Sequence, residues 1–128
     1  MDEGMSRRNR GRAVLAEVLG EEYLRQRDAS TTPFNQPLRE LSEAVAFGDV
    51  WTRPGLDRKV RSMLCLAMLT ALNRPEELRL HVVSAMNNGC TVGEIQEVLF
   101  QTVVYCGFPA TQQAFRVAEE TLKANGLM

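Results

Sequence analysis

The sequence has one histidine, one tryptophan and three cysteines. The cysteines, Cys65, Cys90 and Cys106, form no CxxC, and an odd number so widely spread disfavours both a disulfide framework and a dithiol redox site. With a single histidine there is no ligand cluster at metal-binding spacing, so no metal is assigned. No apolar run approaches the roughly 18 residues of a membrane span, and the opening MDEGMSRRNR is too polar for a secretory signal, which makes the cytoplasm the expected compartment and a membrane partner unexpected. Charge of one sign is lacking too. A formal charge of -1 argues against a dedicated nucleic-acid binder, which would show a net positive charge or a basic stripe. Convincing strand alternation is absent throughout.

What is present is ordinary for a soluble globular chain. The 128 residues are 45% apolar and 24% charged, enough for a single domain, 1–128, yet small enough for oligomerisation to contribute much of the stability. Residues 1–12 hold Arg7, Arg8, Arg10 and Arg12, which read as an anion-binding arm or, more simply, as a solvated terminus with 1–8 a mobile tail. Val14, Leu15, Val18 and Leu19 mark an amphipathic helix closed by Gly20. The run DASTTPFNQPLRE is a connection into a second helix near Pro37, with Leu38, Leu41 and Val45 on one face and Gly48 at its end. Asp57 is an N-cap for a third helix so apolar after Arg61 that it must be central or covered by a partner subunit. Thr91-Val92-Gly93-Glu94 spells a capping box, and Phe108-Pro109 opens the last helix. The expectation is an all-α domain of about six helices with antiparallel neighbours.

The chemistry concentrates between Asn73 and Gly107. Asn73 reads as the N-cap of a helix carrying Glu77 and His81, and an i,i+4 spacing sets their side chains roughly 40° apart on one face. Glu77, His81, Ser84 and Asn88 run along the edge of an apolar face, which suits a polar pocket at a seam; an i,i+4 pair on a solvated surface is the alternative. Upstream, DVWTRPGLD is an irregular loop with Trp51 beside Arg53. The two can frame a carboxylate, or Trp51 can plug the edge of the core while Arg53 is solvated.

The runs TRPGLDRKVRS, LTALNRPEELRLHVVSAMNNGCT and EIQEVLFQTVVYCGFPA, with AEVLGEEY upstream, resemble the carboxymuconolactone decarboxylase family, close to its γ-carboxymuconolactone decarboxylase branch. The resemblance implies an all-α fold related to alkyl hydroperoxidase D, a homo-oligomer (trimer or hexamer) and a cofactor-free step in protocatechuate breakdown. Peroxidase relatives carry a CxxC before the histidine. Aligned through His81, those cysteines fall at Arg74 and Glu77, and Met63 stands where the peroxidases have a relay glutamate, so thiol peroxidase chemistry is not expected. Where this chain has Glu76 the branch implies histidine, and Thr111, Gln112 and Gln113 also depart from its pattern.

The implied reaction releases CO2 from a carbon attached to an unsaturated lactone, leaving electrons that spread into the ring. The protein has to hold a dianion, stabilise the developing charge and deliver a proton to carbon. His81 is expected to donate that proton with Glu77 as its partner, or the reverse, because a coupled pair titrates jointly. Among the guanidinium groups that can hold a substrate carboxylate, Arg53, Arg58 and Arg61, Arg58 is favoured by its place in the first turn of the third helix. Tyr105 is a candidate hydrogen bond to the lactone oxygen. A lyase or isomerase on another small lactone or acid, and a catalytically silent oligomeric protein, are the competing readings.

Overall fold

The computed structural model describes residues 3–128, with side chains from residue 7 onward. Among them the chain is all-α, with no strand. The seven α-helices are α1 (Glu3–Leu19), α2 (Glu21–Ala29), α3 (Gln36–Ser42), α4 (Arg58–Ala71), α5 (Pro75–Asn87), α6 (Val92–Cys106) and α7 (Phe108–Ala124), and α3 runs on into a π-helical segment, Glu43–Val50. The chain divides into two compact units, Met1–Leu56 and Asp57–Met128. No helix among the described residues is long and apolar enough to cross a membrane.

In the first unit, α1 packs along the π-helical segment around Val14, Leu15, Val18 and Phe47. The approach is backbone to backbone at two glycines. A Cβ on Gly11 would meet the Glu43 carbonyl oxygen at 1.7 Å, and one on Gly48 would meet the Arg7 carbonyl oxygen at 2.5 Å. Gly48 therefore does not end the helix as its composition suggests. It lies inside a wider i→i+5 turn, closed by the Trp51 amide donating to the Ala46 carbonyl at 2.9 Å, because the contact with α1 demands a residue without a side chain.

The arginines expected in a mobile tail are tied down where they can be described. Residues 1–2 lie outside the described part, α1 starts at Glu3, Arg7 pairs with Asp49, and Arg8 Nε donates to Glu43 at 2.9 Å. Glu43 is buried and also accepts from Arg12 at 3.3 Å, so this carboxylate is surrounded by guanidinium groups. The second helix, α2, is not apparent from periodicity because it buries no residue at all.

The second unit forms its core from Leu66, Leu78, Val82, Ile95, Leu99, Ala118 and Leu122 on four helices. Asp57 caps α4 by accepting from the Val60 amide, and Thr91 and Glu94 form the reciprocal capping box of α6. The α4–α5 turn differs from its sequence reading. Asn73 is not the N-cap of α5: it has φ 57° and closes α4, with its own amide bonding to Thr70 and the Arg74 amide bonding back to Leu69. This is a Schellman ending with Asn in the left-handed position that glycine usually takes, and it leaves Arg74 as the N-cap, with no side-chain cap.

Candidate active site

Helix α5 begins with Pro75 in its first turn, where the missing N–H is harmless, and buries Leu78, Val82 and Ala85. Burial of that stripe fixes the helix rotation and leaves Arg74, Glu77 and His81 on an adjoining face. The contact with α4 fixes its register. Asn88 Nδ2 donates to Ser62 Oγ at 2.9 Å and to Ser84 Oγ at 3.2 Å, a polar pin between antiparallel helices whose two serines are fully buried. Counting back from this pin places His81 level with the stretch of α4 between Cys65 and Leu69.

The electrostatics of the expected pair are settled by their other neighbours. The His81 imidazole is half-buried, and its Nδ1 is shut from solvent without a hydrogen-bond partner. Burial pushes its pKa below the ordinary value, the nearby Glu77 carboxylate opposing this only in part. Glu77 does not hydrogen-bond to His81. Its carboxylate is taken by the Arg74 guanidinium one turn earlier, which holds its pKa below the usual carboxylate range. Acid and imidazole are neighbours as expected, but the acid has a stronger partner, Arg74. The sequence does carry this signal, an Arg–Glu pair at i,i+3.

The other candidates are placed as follows. The same register puts Arg58 beyond the Ser62 pin, roughly 10–16 Å along the α4 axis from the level of His81, at a rise of about 1.5 Å per residue. Tyr105, at the end of α6, is 83% exposed in the single chain rather than buried. Trp51 stacks on Phe47 with ring centroids 6.1 Å apart, as the core-edge reading has it, and Arg53 beside it is exposed. Cys65 and Cys90 are pushed up by burial toward the neutral thiol. Of the positions that depart from the expected branch pattern, Thr111 is buried and hydrogen-bonds to Thr102 at 2.7 Å, a packing role that separates it from the site. Glu76 points into solvent.

The described residues thus define an all-α protein whose second unit carries a polar helix edge with a half-buried imidazole on it. Comparison with known proteins makes it particular. The profile of the carboxymuconolactone decarboxylase family matches residues 36–120, and the chain belongs to that family. It is 39% identical over 121 residues to a 4-carboxymuconolactone decarboxylase of Acinetobacter baylyi, covering 94% of this chain and 90% of that protein. It is 43% identical over 112 residues to a nitrosuccinic acid decarboxylase of Metarhizium robertsii, covering 88% and 78%. Both are decarboxylases, so the enzyme class of this chain is carboxy-lyase.

Proposed function

We propose that this protein decarboxylates γ-carboxymuconolactone to the β-ketoadipate enol-lactone, as a step of protocatechuate catabolism in the cytoplasm. The observation that carries the reading is the chain's single imidazole, shielded at Nδ1 and set beside a carboxylate on a helix edge, in a chain so similar to a protein of that activity.

In the reaction the bond between the ring carbon and its carboxylate breaks, CO2 leaves, and the electron pair spreads through the ring to the lactone oxygen. A proton is then delivered to ring carbon. The electron sink lies within the substrate, so the protein's part is to bind two carboxylates, exclude water and supply that proton. His81 as imidazolium supplies it and is recharged from solvent, with Glu77 stabilising the charged form.

Nitrosuccinic acid, named for the second relative, is the competing substrate. The two acids share a plan: the carbon that can lose CO2 also bears a CH2–carboxylate arm and is attached to an internal electron sink that takes up the electron pair as CO2 leaves, a nitro group in one and the unsaturated lactone in the other. This plan defines the substrate class proposed here, with the retained arm as the handle. Protein mixed with each acid in turn should release CO2 from the lactone, with nitrosuccinate slower by the ratio of kcat/KM. Folded wild-type protein inert toward both overturns the proposal, and nitrosuccinate as the better substrate overturns the pathway assignment alone.

Self-association is part of the same proposal. Val60, Leu64, Met68 and Leu72 recur every fourth residue along α4 and are 36% to 69% exposed, an apolar ridge that a second copy of the chain would cover. A trimer or hexamer acting through one functional domain, 1–128, is the assembly proposed.

A further inference from the structure

The Glu77 carboxylate has two basic neighbours on its helix, the Arg74 guanidinium, which it bonds, and the His81 imidazole, which it does not. Arg74, Glu77 and His81 fall at i, i+3 and i+7 on α5, which turns their side chains into an arc of roughly 60°. The carboxylate is held by Arg74, and its field reaches His81 without a hydrogen bond. The Arg74 side chain is 59% exposed and that of Glu77 43%, so an incoming anion has access to the guanidinium. Arg74 is the N-cap and Glu77 lies in the first turn of α5, whose amides receive no side-chain cap, so that end of the helix favours negative charge.

Burial disfavours the charged imidazole and Glu77 opposes this only in part, whereas proton donation to carbon calls for the charged form. We propose that Arg74 is the residue that recognises the retained carboxylate of the substrate, and that in doing so it releases Glu77 to His81. The substrate's carboxylate replaces that of Glu77 on the guanidinium fork, Glu77 turns to the imidazole, and the imidazole takes up a proton. Binding thus charges the proton donor. The inference rests on the decarboxylase reading and specifies which group holds the substrate and what holding it does.

The ionisable groups on the helices packed against α5 do not supply this link. On α4, burial pushes the Cys65 thiol up, and the Arg61 guanidinium only donates hydrogen bonds and has no acid to offer the imidazole. On α7, Glu120 is taken by Arg79 at 3.3 Å, and Arg116 and Glu119 line a groove against α6.

Because the chain has one histidine, the His81 ring resonance can be followed by NMR without ambiguity. Succinate, an unreactive dicarboxylate, is the probe, with sodium chloride at matched ionic strength as control. In wild-type protein succinate should raise the pH midpoint of His81, and salt should not. In Arg74→Ala the midpoint should already be higher without succinate and should no longer respond to it. In Glu77→Gln succinate should bind but leave the midpoint in place. In turnover, Arg74→Ala should raise KM about 10- to 100-fold, the range expected for loss of a charge-assisted hydrogen bond, with partial rescue by Arg74→Lys. An unchanged KM in Arg74→Ala, a wild-type midpoint indifferent to succinate, or a succinate-linked rise that persists in Glu77→Gln each overturns the proposal. Turnover without the linked rise removes the relay and leaves the decarboxylase standing. A linked rise without turnover of either acid removes the decarboxylase and leaves the Arg74 site standing.

Discussion

At the scale of single residues the protein turns on how one carboxylate is shared. Glu77 bonds Arg74 rather than His81, and burial, opposed by Glu77 only in part, disfavours the charged imidazole. His81 is depressed by burial, so between its folded midpoint and the ordinary value of 6.5 the unfolded chain binds more protons than the folded one. Stability should therefore fall as pH is lowered through and below 6.5. Urea unfolding at pH 7.5 and at pH 5.5 should show this slope, and His81→Gln should flatten it. The same variant should lower kcat by about 10²- to 10⁴-fold, the usual contribution of a positioned acid or base, measured as CO2 release with the fold checked by circular dichroism. The i,i+4 adjacency of Glu77 and His81 was legible in the sequence because backbone geometry alone imposes it. The rival bond to Arg74 is equally local, an i,i+3 pair on the same turn. The shielding of Nδ1 was not legible, because burial depends on chain distant in sequence.

At the scale of helices and turns, caps were the most readable features and close packing the least. Thr91 and Glu94 form their capping box as spelled, since each partner lies three residues from the other. Thr91→Ala should lower stability by about 1 kcal/mol in chemical denaturation. Asn73 shows the limit of such reading: Asn before Arg-Pro-Glu suits a helix start, yet the residue also suits the left-handed closure of the preceding helix, and the Schellman bonds decide for closure. Gly11 carries no local signal of its role, which comes from the Glu43 carbonyl 32 residues away in sequence (43 less 11). Gly11→Ala should destabilise the chain by about 3 kcal/mol or more, at the upper end for overpacking, because the obstacle is backbone that cannot rotate aside. Thermal melts of Gly11→Ala beside Ala13→Gly, an exposed position on the same helix, would separate the steric effect from helix propensity.

At the scale of the whole molecule, the apolar faces left outward in a single chain set the next question. The third helix was expected to be central or covered by a partner. In fact α4 buries Ser62, Leu66 and Thr70 and turns Val60, Leu64, Met68 and Leu72 outward. Leu38, Leu41 and Val45, read as one face of the second helix, are also exposed. If a second copy covers the α4 ridge, Leu64→Glu should shift the mass measured by light scattering toward that of one chain while leaving helix content unchanged. A native mass of one chain for the unaltered protein would dispose of the assembly.

The sequence by itself determined the helical class, most helix ends, the resemblance to a decarboxylase family and the Glu77–His81 adjacency. These follow from spacings of a few residues, where the backbone leaves little choice. Tertiary structure decided which faces look inward, that Gly11 and Gly48 are contact points, that a π-helical turn replaces a helix end, and that His81 is half-buried beside an acid already engaged. Those outcomes depend on which distant groups exclude water or supply an opposite charge, and packing alone brings such groups together.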